Sequence, residues 1–126
     1  MRKQTIGVII VAAGLIGSAG AIAPHTVQAQ AGDGSANYAR ECARCHGDNL
    51  EGGEGPQLMG PGNGLSAYKT AAGLLQYAME NMPNDQPSSL SPSEYASVIG
   101  FILSKNGVAV PDDGLTLENG AGIAIP

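Results

Sequence analysis

The sequence predicts an all-α domain of about three main helices, connected by long loops rich in glycine and proline. Three observations indicate this fold class. Apolar residues recur at helical spacing in separate segments of the chain. The chain contains 19 glycines and 8 prolines, residues that end helices and favour turns. Its length of 126 residues allows one domain at most.

The first predicted helix leads into a long irregular loop. Ser35 to about Arg44 can form a short helix in which Tyr38 and Cys42 lie four residues apart on one face. The segment 47–64 that follows is rich in glycine and proline, and no helix or strand is predicted in it. A loop of this length is unusual in a compact domain, so we expect it to wrap around a bound group.

The second helix is predicted from near Thr70 to Met79. It must end by Met82, because Pro83 disfavours the helical conformation in the residue before it. The apolar stripe that predicts this helix consists of Leu74, Leu75, Ala78 and Met79.

The third helix has the clearest start and stop signals in the chain. Ser91 is a good N-cap, Pro92 stands at the first helical position, and Glu94 completes a capping box. Lys105 lies in the predicted last turn, and the Asn106-Gly107 pair ends the helix.

The N-terminal segment has the layout of a secretory signal peptide. Two basic residues at positions 2 and 3 precede an uncharged apolar run over 6–23, and small residues stand at cleavage spacing in 29–31. We therefore predict a signal peptide at 1–31, a domain at 32–107 and a C-terminal extension at 108–126 without clear helix or strand signals. An uncleaved membrane anchor is the alternative to cleavage.

The charge of the secreted chain limits its partners. Cleavage removes two of the six basic residues and leaves four against eleven acidic residues, which gives a net charge of −7. An acidic surface argues against nucleic acid or anionic lipid as a partner. It favours a partner protein that presents positive charge.

The segment Cys42-Ala43-Arg44-Cys45-His46 indicates the attachment site of a c-type haem. In such a motif, Cys42 and Cys45 form thioethers with the haem, and His46 is the proximal ligand of the iron. A zinc site would need about four ligands, and the cysteines and histidine beyond the leader supply three, one short unless a carboxylate joins them. A redox dithiol or a plain disulfide remains a further alternative, although no βαβ pattern flanks the cysteines.

A second axial ligand is predicted among the methionines. His25 lies in the leader, so His46 is the only histidine of the mature chain. Met82 is the favoured candidate, because it stands before a proline at the exit of the second helix. Met79 belongs to the apolar stripe and Met59 to the glycine-rich loop, and both remain alternatives.

Over residues 34–107 the chain resembles the class I cytochromes c, the small monohaem proteins of bacteria. Four segments in the right order carry the resemblance. They are the haem motif at 42–46, the Gly-Pro-Gln-Leu-Met-Gly segment at 55–60, the Met-Pro pair at 82–83 and the helix at 91–105. In this family the proline carbonyl of the second segment accepts a hydrogen bond from the proximal histidine. The resemblance therefore implies that Pro56 orients His46.

The resemblance also implies a function and partners. The fold would be a small cytochrome c fold around one covalent haem c, and the protein would be a periplasmic electron carrier rather than an enzyme. A dehydrogenase or other donor and an oxidase or other cytochrome acceptor would dock at the exposed haem edge, without nucleic acid or membrane. Two alternatives stay open: a haem-bearing subunit of a larger periplasmic dehydrogenase complex, and a haem enzyme or gas sensor with a labile Met82.

Overall fold

The computed structural model describes residues 31–126 and confirms the all-α prediction. Apart from one isolated antiparallel bridge between Thr70 and Ala124, this part of the chain contains no β-structure. The predicted leader lies outside the described residues except for its last position, so cleavage and the domain boundaries remain predictions. The helices in chain order are α1 (Ala31–Glu41), α2 (Ala43–His46), a 3₁₀ helix (Leu65–Tyr68), α3 (Ala71–Asn81), α4 (Pro92–Lys105) and α5 (Leu117–Gly120).

Between residues 31 and 126, no helix combines the length and the apolar character that a membrane span requires.

The third predicted helix, α4, begins and ends where the sequence indicates. The Ser91 hydroxyl accepts a hydrogen bond from the Glu94 N–H, and the Glu94 carboxylate accepts one from the Ser91 N–H. The hydrogen bonds from Ser91 also lower the pKa of Glu94. Asn106 is the C-cap. The helix contributes five side chains to the core, namely Tyr95, Val98, Ile99, Ile102 and Leu103.

The second predicted helix, α3, also has the expected limits. The Thr70 hydroxyl caps its start by accepting a hydrogen bond from the Gly73 N–H at 3.1 Å. Its last residue is Asn81, and Met82 is the C-cap with an extended backbone (φ −118°, ψ 153°). Pro83 follows, which agrees with the reason given for the helix end.

The sequence predicted that the first helix continues to about Arg44, but the helix is interrupted at Cys42. α1 ends at Glu41, and Cys42 leaves the helical conformation with φ −121° and ψ −35°. A new turn starts there, because the Cys42 carbonyl accepts hydrogen bonds from the N–H groups of Cys45 and His46 at 3.1 and 3.0 Å. The haem motif therefore forms a helical turn of its own, α2.

α1 and α4 cross at very short distance. A β-carbon built on Gly34 would lie 2.2 Å from the Ser97 carbonyl oxygen, so only glycine allows this approach. One turn further on, the rings of Tyr38 and Phe101 contact each other with centroids 5.5 Å apart. The crossing buries Tyr38, whose hydroxyl donates a hydrogen bond to the Gly47 carbonyl at 2.7 Å, and burial raises its pKa to about 12.

We expect Gly34→Ala to lower the free energy of unfolding by about 1–3 kcal/mol, since the added methyl group must push the two helices apart. Denaturant unfolding of the holoprotein measures the change. Gly100→Ala is the matched control, because a β-carbon there meets only Val110 Cγ1, at 3.7 Å. That variant should gain up to about 1 kcal/mol from helix propensity. Equal stability of the two variants would contradict the close crossing.

The segment 108–126 packs onto the domain, although its sequence has no clear helix or strand signals. Leu115 and Ile125 are buried in the core. The N–H of Ala71 donates to the Ile123 carbonyl at 2.8 Å, and the N–H of Ile125 donates to the Lys69 carbonyl at 2.9 Å. The C-terminal residues are thereby hydrogen-bonded to the chain at the start of α3.

Candidate functional site

A single cleft of about 660 Å³ contains the predicted haem-binding residues. Cys42, Cys45, His46 and Met82 all line it, together with Pro56 from the glycine-rich loop. Its volume lies within the range of about 300–1,000 Å³ that is usual for small-molecule and cofactor sites. The 3₁₀ helix, α3 and α4 supply apolar walls, which include Leu65, Leu74, Ala78, Val98, Ile99 and Ile102.

The glycine-rich loop contacts the His46 ring, as the resemblance to the class I cytochromes c implied. Its Nδ1 atom lies 2.7 Å from the Pro56 carbonyl oxygen. A carbonyl oxygen only accepts hydrogen bonds, so Nδ1 carries the proton and donates it. Nε2 then holds the lone pair that a metal can bind. The contact between Pro56 and His46 is thus present, and the ligand role of His46 remains a prediction.

Gly55 explains how the loop approaches the ring so closely. A β-carbon at this position would lie 2.8 Å from Cε1 of His46. The Gly55 N–H also donates to the Cys45 carbonyl at 2.8 Å, and the Gly52 N–H donates to the His46 carbonyl at 2.7 Å. These backbone bonds attach the loop to α2 and hold the Pro56 carbonyl beside the imidazole.

No disulfide joins Cys42 and Cys45, and each is partly buried where it lines the cleft. Burial is the main cause that raises the pKa of the Cys42 thiol to about 11, and the nearby Glu41 carboxylate acts in the same direction. Before haem is attached, the Cys42 thiol is therefore neutral at pH 7. The Cys45 sulfur lies 3.7 Å from a carboxylate oxygen of Glu54.

Of the three candidate methionines, one lines the cleft. Met82 lines the cleft, whereas neither Met79 nor Met59 does. Met79 is partly buried against the hydrophobic core, and Met59 is 39% exposed. The placement supports the choice of Met82 from the sequence, and its coordination of iron remains a prediction.

Three tyrosines that the sequence analysis did not assign to the site also line the cleft. The rings of Tyr68 and Tyr77 lie with centroids 4.8 Å apart, and burial raises the pKa of Tyr68. The Tyr95 hydroxyl donates a hydrogen bond to the backbone carbonyl of Met82 at 2.5 Å. Helical spacing places Tyr95 on the apolar face of α4, but no sequence signal identifies the partner of its hydroxyl.

Charged side chains surround the mouth of the cleft. Arg44, inside the haem motif, forms a salt bridge of 2.6 Å with Asp85 in the loop after Met82. This hydrogen bond raises the pKa of Arg44. Both side chains are more than half exposed, so the pair contributes little to stability. Glu41 and Glu54 also line the cleft, and Glu41 forms a salt bridge with Arg40, so three carboxylates stand against two arginines there.

The donor set of the cleft fits a c-type haem. Two thiols, one imidazole with a free Nε2 and one thioether line a space whose walls are largely apolar. A zinc site would need about four ligands. Within residues 31–126, no three His, Cys, Asp or Glu side chains are grouped so that they could hold a metal ion.

Comparisons with known proteins agree with this assignment. Residues 29–102, more than half of the chain, match the family described as cytochrome c oxidase, cbb3-type, subunit III. No curated protein sequence matches the chain. The chain is also similar to one in the crystal structure of the sulfane dehydrogenase SoxCD from Paracoccus pantotrophus, with 28% sequence identity and a TM-score of 0.63.

The similarity to SoxCD covers 77% of this chain and 53% of the other, so the chain spans about half the length of that relative. The helical fold is that of a cytochrome c domain, and such a domain implies a c-type haem. The chain belongs to the c-type cytochrome family described as cytochrome c oxidase, cbb3-type, subunit III.

Proposed function

We propose that the protein transfers single electrons in the periplasm by means of one covalently bound haem c. Cys42 and Cys45 would hold the haem through thioethers, and His46 and Met82 would be its axial ligands. The observation that carries the proposal is that these four residues line one cleft, although Met82 is remote from the others in sequence. The predicted signal peptide supports secretion across the inner membrane.

The side chains of the cleft would set the properties of the bound group. Haem supplies an iron that can alternate between the ferric and ferrous states. The Pro56 carbonyl fixes the tautomer and the orientation of His46. The thioether of Met82 favours the ferrous state, and the apolar walls act in the same direction by keeping water away from the site. Both effects raise the reduction potential.

The rim of the cleft supports transfer to a protein partner. Glu41 is near Cys42, Glu54 is near Cys45, and Asp85 pairs with Arg44, so the carboxylates lie close to the residues that would hold the haem. A donor or acceptor with a basic surface would be attracted to this rim. Such redox encounters usually bury less than about 1,200 Å². A dehydrogenase and an oxidase or second cytochrome are the proposed partners.

Covalent attachment is tested by extracting haem from the purified protein with acidified acetone. We expect the wild type to retain its haem and to have the mass of the mature chain plus one haem, because thioethers survive the extraction. A variant with Cys42→Ser and Cys45→Ser should release any haem that it has acquired. Extraction of haem from the wild type would contradict the proposal, as would a mass corresponding to two haems.

A second candidate function is electron transfer inside a larger complex. It is favoured by the similarity to about half of a chain from the sulfane dehydrogenase SoxCD. Gel filtration of the native extract distinguishes the two: a free carrier elutes at the size of one small domain, and a subunit elutes with its complex. Binding of carbon monoxide to the reduced protein would instead favour the haem enzyme or gas sensor with a labile Met82.

A further inference from the structure

Both backbone polar groups of Met82, the N–H and the carbonyl, form hydrogen bonds. Its N–H donates to the Ala78 carbonyl at 2.9 Å, which is the last helical bond of α3. Its carbonyl accepts the hydrogen bond from the Tyr95 hydroxyl at 2.5 Å, and no other residue of the described chain donates to it. Pro83 follows and has no N–H to contribute.

The position of Tyr95 is itself fixed by α4 and by burial. It lies in the first turn of α4, directly after the capping box, and is only 4% exposed. Its hydroxyl also accepts a longer hydrogen bond from the Leu90 N–H, at 3.4 Å. One buried oxygen atom therefore connects the start of α4, the loop that precedes it and the backbone of Met82.

Packing alone does not account for the hydroxyl group. Tyr95 lines the cleft, and phenylalanine would keep its aromatic ring. The hydroxyl would add a restraint on the backbone, since any shift of the Met82 backbone away from the cleft would break this hydrogen bond.

We propose that Tyr95 is a positioning residue, whose hydroxyl holds the Met82 backbone so that the thioether stays in the cleft. This inference rests on the proposed function, in which Met82 is an axial ligand. The residue acts through Met82 and has no redox role of its own.

The test is displacement of Met82 by imidazole in the oxidised holoprotein, followed through the weak charge-transfer band from methionine sulfur to ferric iron. Tyr95→Phe is expected to bind imidazole about two- to thirteenfold more tightly than the wild type, a range that corresponds to the net contribution of one hydrogen bond. Unchanged affinity in Tyr95→Phe would overturn the inference.

Tyr38→Phe is the matched control. It also removes a buried tyrosine hydroxyl that donates to a backbone carbonyl, that of Gly47 at 2.7 Å, but Tyr38 does not line the cleft. The control should lose stability and keep its imidazole affinity within about twofold of the wild type, a change smaller than one hydrogen bond is worth. Equal tightening in both variants would show a general loosening of the protein and overturn the positioning role.

Replacing Tyr95 by 4-aminophenylalanine provides a rescue, because the amine can donate to the same carbonyl. The affinity of this variant for imidazole is expected to lie between the affinities of the wild type and Tyr95→Phe. If Tyr95→Phe does not assemble with haem, the 4-aminophenylalanine variant is compared with the wild type in its place. Affinity as high as in Tyr95→Phe would count against the inference. Absence of the charge-transfer band from the wild type would overturn the ligand assignment first, and the positioning role with it.

Discussion

Replacing His46 by alanine is expected to abolish the accumulation of stable holoprotein. The imidazole, held in place by the Pro56 carbonyl at 2.7 Å, is the proposed proximal ligand, and alanine would offer the iron no replacement. Without a firmly held haem, the apolar walls formed by the 3₁₀ helix, α3 and α4 would face water. Exposing such surface costs about 25 cal/mol per Å². Haem content per chain in the periplasmic fraction measures the effect.

Pro56→Ala is the control for this experiment, because it changes a residue that contacts His46 and keeps the contacting atom. The atom that contacts His46 is a backbone carbonyl, so alanine keeps the acceptor and removes only the proline ring. Holoprotein should therefore accumulate in this variant. A normal haem content in His46→Ala would contradict the assignment of the proximal ligand.

Met82→Ala is expected to abolish the charge-transfer band of the oxidised protein and to lower its reduction potential. The physical reason is the loss of a thioether that favours ferrous iron. The identity of the axial ligand matters greatly here, since axial ligands tune haem potentials over a span of about 0.8 V. Optical spectroscopy and a potentiometric titration of the purified variant measure both effects.

Met79→Ala is the control for that variant, because Met79 lies one helical turn earlier but outside the cleft. It should keep the band and the potential. Its expected cost is about 2 kcal/mol of stability, the lower end of the usual range for such truncations, since the side chain is only partly buried. Loss of the band in Met79→Ala together with its retention in Met82→Ala would move the ligand to Met79.

Local signals in the sequence were sufficient to predict α3 and α4, whereas α1 begins at Ala31, four residues before the predicted start, and ends at Glu41. The capping box at Ser91 and Glu94 and the end of α3 before Pro83 depend on residues a few positions apart, and both are found as expected. The same local signals failed at Cys42, where the helix breaks. No local rule indicates that the haem motif needs a turn of its own.

The contacts that the sequence did not reveal are long-range ones. Leu115 and Ile125 lie in a segment that contains other apolar residues but has no clear helix or strand signal, and they are buried where this segment packs near the start of α3. Thr116 and Asn119 do form a reciprocal cap around α5, although asparagine replaces the usual glutamate or glutamine. The hydrogen bond from Tyr95 to Met82 likewise depends on how α3 and α4 meet.

The attachment of α3 at both of its ends has a consequence for the rate of electron transfer. The C-terminal segment is hydrogen-bonded to the chain at its start through Lys69 and Ala71, and the Tyr95 hydroxyl holds the residue after its end. If Met82 binds iron as proposed, these hydrogen bonds would limit how far its backbone moves between the two oxidation states, and so would limit the shift of the sulfur. A small shift of the sulfur means a small reorganisation energy. A small reorganisation energy would increase the rate of electron transfer.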